Sequence, residues 1–291
     1  MHPPLTTRQV AFVLGISEAS LKRWCDRGVL PSARTVGGHR RLPVHGVVEF
    51  ARSRGFPLAH PEVLGLPPQA GRGHAVVDRG RLDLRRALLA GDEEVFRRLA
   101  FDPWLAGQPL AEVLERGVVP ALDGLGLDVL HGVAEIYQER RAIEICLRFL
   151  HEVRGLLPPP ADDAPLAIGG SAEHDPYLLP AAMVDLCLRE AGWRTQALGI
   201  GIPLSSLCAA VEAVRPDLFW LSVSAAPDRE ALVAGWAELQ ERAVALGTAT
   251  VVGGRALDAA LRPRMAATAM PIGLSGLQAW VRELGPSRIP G

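Results

Sequence analysis

The sequence is poor in cysteine and in aromatic residues, and these shortages exclude several classes of protein. It contains 4 cysteines, and 5% of its residues are aromatic. The cysteines Cys25, Cys146, Cys187 and Cys208 form no CxxC pair, which argues against a disulfide framework or a zinc knuckle and for a reducing cytoplasm. No apolar run reaches about 18 residues without a charge, so no membrane span is predicted. The first residues contain no apolar segment of the secretory type.

The chain does contain enough apolar material for well-packed cores. Apolar residues make up 48% of the sequence, which excludes an intrinsically disordered chain. A length of 291 residues corresponds to two or three domains. We therefore expect a multidomain protein of mixed α and α/β class.

The charge is unevenly distributed along the chain. The formal net charge is −1, but residues 1–58 contain nine Lys or Arg and only three acidic residues. The first fifth of the chain therefore has a charge of +6, which leaves −7 for the remainder. A compact basic module joined to an acidic remainder is typical of a protein that binds a polyanion, so double-stranded DNA is the expected partner.

The first 56 residues predict a small helix-turn-helix domain. A capping-box pattern begins at Thr6, and Gly15 is expected to end the helix that follows. Ser17 can cap a second helix, which Gly28 would end. The succession of helix, tight turn and helix is that of many DNA-binding domains.

A hairpin is predicted to follow the second helix. The pair Gly37–Gly38 lies between two short extended arms, and Pro43 suits the first turn of a third helix. The hairpin tip contains three potential cations, His39, Arg40 and Arg41. Such a tip suits a wing that lies against phosphates or enters a minor groove.

The second helix and the wing together supply the expected DNA contacts. The first half of the helix would enter a major groove, where Arg and Lys contact guanine edges or phosphates. The predicted DNA-binding residues are Thr7, Ser17, Ser20, Lys22, Arg23, Arg27, Arg34, Gly38, His39, Arg40 and Arg41. The alternative is that these charges form only the solvated surface of a small helical domain.

Residues 57–80 are rich in Gly and Pro and predict a linker. Residues 81–156 have helical periodicity and predict a four-helix bundle. The four helices are expected near 81–90, 92–101, 109–134 and 137–155. The third is expected to bend near Pro120.

Residues 157–291 predict a five-stranded α/β domain. After a short Pro-rich segment, short apolar runs alternate with helical stretches. This alternation predicts a parallel, doubly wound sheet of the Rossmann or flavodoxin-like type, with ligands at the carboxyl ends of the strands. The expected strands are Pro165–Gly169, Thr195–Gly199, Leu218–Val223, Ala249–Val252 and Met270–Gly273.

The N-terminal domain resembles the winged helix-turn-helix of MerR-type regulators. The resemblance extends over residues 5–50 and is closest to the excisionase-like branch, in which a TxGGHRR wing is characteristic; residues 35–41 have the sequence TVGGHRR. It implies a dimer or higher oligomer on a repeated or palindromic DNA site.

The order of the three parts resembles the cobalamin-dependent photoreceptor regulators of the CarH/LitR type. In that family, a histidine in a DxHxxG-like motif of the α/β domain ligates the cobalt of vitamin B12 from below. A Trp-x9-Glu-His motif of the bundle caps the upper face. Light breaks the cobalt–carbon bond, the tetramer dissociates and DNA is released. The resemblance therefore implies a cytoplasmic homo-oligomer, a dimer or tetramer, that responds to cobalamin or light.

The lower cobalamin motif is only partly present. His174 directly follows the first predicted strand, where the cobalt ligand is expected, and a neutral imidazole is a good ligand for cobalt. The usual acid two residues earlier is Ala172, although Glu173 or Asp175 could replace it. The usual glycine three residues later is Tyr177, which would obstruct the nucleotide tail of the corrin. The small residues that line the tail pocket in the family correspond to Ser222, Ser224, Gly253 and Gly254.

The upper motif departs further from the family. Val129 stands where the capping tryptophan is expected, and the family's Glu-His pair corresponds to Glu139 and Arg140. Arginine stays protonated and cannot ligate cobalt. His131 could serve as an upper ligand if the register shifts.

Two interpretations of the C-terminal half therefore stay open. The first is a regulator that responds to cobalamin or light. The second is a cofactor-independent regulator whose α/β domain serves oligomerisation or protein docking, or binds a different ligand such as another tetrapyrrole. An enzyme is not expected, because the sequence contains no nucleophile–base pair, phosphate loop or metal-ligand cluster of diagnostic spacing.

Overall fold

The computed structural model describes residues 3–68, 70 and 77–284. The chain divides into two compact units, Met1–Pro158 and Pro159–Gly291. The finer domain boundaries expected from the sequence stay a prediction. None of the described helices is long and apolar enough to cross a membrane.

The first unit begins with a winged helix-turn-helix, which we call the head. Its elements are β1 (Leu5–Thr6), α1 (Thr7–Leu14), α2 (Glu18–Asp26), β2 (Ala33–Arg34), β3 (Arg40–Leu42) and α3 (Val44–Arg54). Thr6 caps α1 in a reciprocal capping box with Gln9, as the sequence predicts. Gly15, at φ +65°, ends α1 in the left-handed conformation that glycine adopts without strain. Ser17 then caps α2 by accepting a hydrogen bond from the backbone N–H of Ser20.

The strands of the head form a small antiparallel sheet in the order β1-β3-β2. In the central strand, Arg41 pairs with Thr6 on one side and with Ala33 on the other. Leu42 is completely buried. Because side chains alternate along a strand, Arg40 lies on the same face as Leu42, and Arg41 lies on the opposite face.

Part of the segment 57–80 is folded against the head. A 3-10 helix extends over Pro61–Leu64. The backbone N–H of Ala59 donates to the carbonyl oxygen of Val13 at 2.8 Å, and the side chain of Leu58 is buried. These residues add to the apolar core under α1.

The rest of the first unit is a helical bundle. Its elements are α4 (Val77–Ala90), α5 (Glu93–Leu105), α6 (Leu110–Val113), a π-helical turn (Leu114–Val118), α7 (Val119–Leu130) and α8 (Ile136–Leu156). The helix expected at 109–134 is therefore α6 and α7 joined by the π turn. Pro120 is the second residue of α7, two positions after this turn, and since proline has no N–H, it cannot complete a regular α-helical ladder there. Phe101 and Phe149 pack edge to face in the core, with ring centroids 4.9 Å apart.

Arg52 of α3 fastens the head to the bundle. Its Nε donates to the carbonyl oxygen of Trp104 at 2.9 Å, and its Nη2 donates to that of Gln108 at 3.3 Å. Its guanidinium also lies 4.1 Å from the centroid of the Trp104 ring. The cation thus complements the negative end of α5 as well as contacting an aromatic face.

The second unit is a four-stranded parallel sheet with helices on both faces. Its elements are β4 (Leu166–Ala172), α9 (Leu178–Glu190), β5 (Arg194–Ile202), α10 (Leu204–Val214), β6 (Leu218–Ser222), α11 (Arg229–Ala245), β7 (Ala249–Gly253), a 3-10 helix (Arg262–Arg264) and α12 (Gly273–Leu284). The strand order is β5-β4-β6-β7. One face buries Phe219 and Trp236 beneath α10 and α11, and the other buries Trp193 and Trp220 beneath α9 and α12.

The expected fifth strand, Met270–Gly273, is absent from the described chain, so that prediction was wrong. The chain approaches the sheet only at Ala269, which forms an isolated bridge with Val251 and donates to the carbonyl oxygen of Thr250 at 3.1 Å. The next residues leave the sheet, and α12 begins at once. Pro271 lacks the N–H that a continued ladder would need.

Candidate nucleic-acid interface and candidate cofactor site

The structure places the predicted DNA-binding residues mainly on α2 and on the wing, which comprises β2, β3 and the turn between them. The exposed ones are Ser17, Lys22, Arg23, Arg27, Arg34, Gly38 and His39, and the half-buried ones are Thr7, Ser20, Arg40 and Arg41. Arg8 is also exposed, in the first turn of α1. It was not among the predicted contacts, although it contributes to the positive charge of the first 58 residues.

Side chains on α2 are held in place without being neutralised. Arg23 Nη2 donates to Ser20 Oγ at 3.2 Å, which positions the guanidinium along the helix. Lys22 Nζ lies 3.6 Å from Glu18 Oε2, and both side chains are about half exposed. Such a surface ion pair is worth little and is screened by salt, so Lys22 stays available for a phosphate.

The turn of the wing is supported by its own backbone. The carbonyl oxygen of Thr35 accepts a hydrogen bond from the N–H of Gly38 at 2.8 Å. The hydroxyl of Thr35 accepts one from the N–H of His39 at 3.2 Å. Gly38 has φ +78°, which favours glycine. Val36 stands fully exposed at the tip. Val36 is not among the predicted DNA-binding residues, yet an exposed apolar side chain on a wing is a suitable wedge for a minor groove.

The two arginines of the wing have different surroundings. The Arg40 guanidinium forms an ion pair with the carboxylate of Asp26, and Nη1 donates to the backbone carbonyl of Lys22 at 3.3 Å. Its side chain is only 16% exposed. The side chain of Arg41, on the other face, has no hydrogen bond or ion pair with any described residue. Arg40 therefore attaches the wing to α2, and Arg41 is the one available to an anion.

In the second unit, the carboxyl ends of β4 and β6 form the topological switch point of the sheet. The chain passes from β4 to β5 on one side and then to β6 on the other, and open α/β sheets bind ligands where the strand order reverses in this way. His174 lies in this position, two residues after the end of β4. Its φ is +66°, which is unusual for a residue other than glycine, and its side chain is 67% exposed.

Asp175 connects the loop after β4 to the end of β6. Its Oδ2 accepts hydrogen bonds from the N–H groups of Ser224 and Ala225 at 2.6 and 3.3 Å, and its Oδ1 accepts one from the N–H of Tyr177 at 3.1 Å. Asp175 is buried, and its own carbonyl accepts from Ser171 Oγ at 3.3 Å. This network fixes the loop that presents His174 to solvent.

Tyr177 and Arg255 form a stacked pair across the same edge. The Arg255 guanidinium lies 4.4 Å from the centroid of the Tyr177 ring, and Arg255 Nε donates to the carbonyl oxygen of Ser224 at 3.3 Å. Ser222 and Ser224 beneath this pair are buried. The loop that bears Arg255 also contains two predicted pocket residues, Gly253 and Gly254.

A cobalamin would need an accessible ligand for its cobalt and room for its nucleotide tail, and this edge of the sheet offers only the ligand. His174 offers an accessible imidazole that could ligate cobalt. Glu173 Oε1 is 4.0 Å from His174 Nε2, too far for a hydrogen bond, and Asp175 directs its carboxylate toward the backbone after β6. If a nucleotide tail entered at the carboxyl ends of β4 and β6, as the resemblance implies, it would meet the half-buried ring of Tyr177 and the exposed guanidinium of Arg255 that is stacked on it. The residues present therefore do not fit a cobalamin with its tail in the crevice, by which we mean the space outside the carboxyl ends of β4 and β6 at the switch point.

The predicted upper-face residues lie at the end of the bundle where α7 turns into α8. Val129 and Glu139 are half-buried, and Arg140 is exposed. His131 follows α7 and is exposed. Within the described residues, no group of three or more His, Cys, Asp or Glu side chains could hold a metal ion.

Comparison with known proteins bears on the head and on the fold of the larger part of the chain. A sequence model described as a helix-turn-helix domain matches residues 4–55, which confirms the expected helix-turn-helix. No curated protein matches the chain.

Solved structures resemble the larger part of the chain. The monomethylamine corrinoid protein of Methanosarcina barkeri has a TM-score of 0.58 at 15% identity, with 71% of this chain and 99% of that one covered. A cobalamin-binding protein from Desulfitobacterium hafniense DCB-2 has a TM-score of 0.38 at 15% identity, with coverages of 69% and 98%. The methanol:cobalamin methyltransferase complex of Methanosarcina barkeri has a TM-score of 0.36 at 14% identity, with coverages of 75% and 84%. The likeness to the corrinoid protein shows a shared fold. Because it covers 71% of this chain, the shared fold extends beyond residues 159–291.

Proposed function

We propose that this protein is a DNA-binding transcriptional regulator of the MerR type. In this proposal, the helix-turn-helix and its wing contact duplex DNA, and the bundle and α/β unit control the oligomeric state and thereby operator binding. The observation that carries the proposal is the exposed basic face of α2 beside a wing attached to it through Arg40. A charge of +6 in the first 58 residues supplies the attraction to phosphate.

Salt dependence of binding tests the first part of the proposal. Fluorescence anisotropy of the full chain with a labelled random-sequence duplex should show affinity that falls steeply as salt rises. The double variant Lys22→Ala/Arg27→Ala should weaken binding and flatten the salt dependence, by about 0.9 in the log–log slope for each phosphate that the protein no longer neutralises. The matched control is Arg98→Ala/Arg282→Ala, which removes two exposed arginines outside the head. Absence of salt-sensitive binding to any duplex would contradict the proposal.

The second part of the proposal, control through oligomerisation, is supported by an apolar surface at one end of the bundle. Five large apolar side chains are exposed there by 55–76%: Leu127, Leu130, Val133, Ile136 and Tyr137. Clusters of this kind on a folded protein mark interaction surfaces. A second copy of the chain is the occupant we propose, since a helix-turn-helix reads a repeated or palindromic site as a dimer.

The molar mass in solution tests this surface. Light scattering after size-exclusion chromatography should give an oligomer for the wild type and a smaller species for Leu130→Glu/Val133→Glu. Val244→Glu is the matched control, because Val244 is an isolated exposed valine of α11, 63% exposed. An unchanged molar mass for the double variant would contradict the assignment of this surface.

Two forms of control are compatible with this proposal. The stacked pair of Tyr177 and Arg255 over the carboxyl end of β6 favours an assembly module that works without a cofactor. The exposed His174 at the switch point favours the second candidate, a regulator that responds to cobalamin or light. Absorbance spectra with hydroxocobalamin and adenosylcobalamin, in darkness and after illumination, distinguish the two when combined with the molar mass. A cofactor-independent module gives the same molar mass in every case.

A further inference from the structure

We propose that Tyr177 and Arg255 close the crevice at the switch point to the nucleotide tail of a cobalamin. The α/β unit then cannot take up this cofactor with its tail inserted, although His174 stays exposed beside the closure. This inference concerns the second unit alone and does not depend on DNA binding by the head.

The position of the closure follows from the strand order. β6 lies between β4 and β7 in the sheet. Tyr177 belongs to the loop after β4, and Arg255 belongs to the loop after β7. A contact between these two loops must therefore pass over the carboxyl end of β6. The hydrogen bond from Arg255 Nε to the carbonyl oxygen of Ser224 shows that it does.

The closure is fixed from below by the buried carboxylate of Asp175. That carboxylate accepts hydrogen bonds from the backbone of Tyr177 on one side and of Ser224 on the other. Moving the backbone of Tyr177 out of the crevice would leave a buried charge without one of its donors, which is unfavourable. The ring of Tyr177 can leave only by rotating its side chain, and it would then no longer stack on Arg255.

Nothing in the backbone requires an aromatic residue at this position. Tyr177 has φ −90° and ψ 99°, values that any residue, including glycine, adopts without strain. The ring is therefore a space-filling element, and its replacement by glycine opens the crevice without a backbone penalty in the folded state. Tyr177→Phe, in contrast, retains the ring and its stacking on Arg255.

Two corrinoids distinguish the closure from a simple loss of cobalt ligation. Aquocobalamin has a nucleotide tail whose benzimidazole competes with His174 for cobalt. Aquocobinamide has no tail, so its access to His174 does not depend on the crevice. Titration of the full chain is followed by absorbance, and the cobalt(II) forms are examined by electron paramagnetic resonance with 15N-labelled protein. The nitrogen hyperfine pattern then shows whether protein imidazole or the benzimidazole of the tail ligates the metal.

The variants are Tyr177→Gly, Arg255→Ala, their combination, Tyr177→Phe as the control, and His174→Ala added to the combination. We expect wild type and Tyr177→Phe to leave the benzimidazole on cobalt. The combined variant should show protein imidazole on cobalt and bind aquocobalamin at least about tenfold more tightly than wild type, with much smaller changes for aquocobinamide. Adding His174→Ala should abolish the protein imidazole signal.

Two results would overturn the proposal. One is a protein imidazole signal with aquocobalamin in the wild type, because the tail would then have entered the crevice or left the cobalt without hindrance. The other is a combined variant that keeps the wild-type circular dichroism spectrum and melting temperature but gains no affinity for aquocobalamin. Salt-sensitive DNA binding by the same preparations is measured in parallel, so failure of this inference is distinguishable from failure of the proposed function.

Discussion

Two neighbouring arginines of the wing should respond differently to the same substitution. Arg41 is half-buried and its side chain has no hydrogen bond or ion pair with a described residue, so Arg41→Ala should change the free energy of unfolding by no more than about 0.5 kcal/mol. If Arg41 contacts one phosphate, the slope of log affinity against log salt should fall by about 0.9. Arg41→Ala is therefore expected to be a binding variant of unchanged stability.

Arg40→Ala should behave in the opposite way. It removes the ion pair with Asp26 and the hydrogen bond to the carbonyl of Lys22. The carboxylate of Asp26 is 59% exposed, so water replaces part of this interaction and the expected destabilisation is about 1 kcal/mol. The salt slope should change little, because Arg40 is not free to neutralise a phosphate. Affinity should fall at every salt concentration, because the wing is no longer attached to α2.

Asp26→Asn provides the control for this difference. It removes the charge opposite Arg40 while keeping the size of the side chain, so it should reproduce the loss of stability. It should not lower the salt slope, since it removes no cation. The measurements are urea unfolding and anisotropy titrations with a random-sequence duplex at several salt concentrations. If Arg40→Ala lowers the slope as much as Arg41→Ala does and leaves stability unchanged, the assignment of the two faces of β3 is wrong.

Three further predictions concern the first unit. Arg52→Ala should lower the free energy of unfolding of the first unit by about 2 kcal/mol in urea, because the substitution removes a charged hydrogen bond to the Trp104 carbonyl and the contact with the Trp104 ring. A change below about 0.5 kcal/mol would refute this role of Arg52. The hydrogen bonds from Arg85 hold the pKa of Asp128 below its ordinary value of 3.8, so the pair stabilises the fold at neutral pH and this contribution is lost as pH falls through the lowered pKa. The difference in melting temperature between wild type and Asp128→Asn should therefore be present at neutral pH and shrink below pH 3.8; a constant difference would contradict the pairing. Burial raises the pKa of the Cys146 thiol to about 12, so iodoacetamide should label it at neutral pH only after unfolding, as peptide mass spectrometry can show.

The helix-turn-helix could be predicted because its signals are local. The capping box at Thr6, the left-handed Gly15 and the cap at Ser17 each act within a few residues, and all three occur in the structure as expected. The role of Arg40 could not be predicted in the same way. It depends on the register of β3 and on Asp26, which comes from a different element and lies 14 positions earlier.

The prediction of a fifth strand failed because of a local feature, a proline within the predicted strand. The apolar run from Met270 to Gly273 satisfies the composition expected of a short strand. Proline at position 271 removes a ladder donor, and this local restriction outweighs the apolar pattern. In the bundle, Pro120 lies two residues after the π-helical turn that divides the helix expected at 109–134, and the π-helical form of this turn does not follow from the sequence.

The closed crevice could be predicted only in part. The tyrosine in the place of a glycine is visible in the sequence, and it indicates an obstruction. Its partner Arg255 comes from the loop after β7, three strands further along the chain, and the carboxylate of Asp175, which fixes the loops after β4 and β6, could equally have faced His174. Only the folded arrangement shows that these side chains complete one another over β6.

The closure and the exposed apolar end of the bundle lead together to a last prediction. If no cofactor enters the crevice, contacts between copies of the chain are the means by which we propose that DNA binding is controlled. Two modest half-site affinities then combine through linkage, and binding to a duplex with two half-sites should rise cooperatively with protein concentration. Leu130→Glu/Val133→Glu should abolish this cooperativity and leave the salt slope for a single half-site unchanged. The duplex with two half-sites and the duplex with a single half-site are both derived from sequences that the wild-type chain selects from a random pool. Cooperativity that survives in the double variant would place the contact between copies elsewhere on the molecule, because these substitutions put two charges into the centre of the proposed interface.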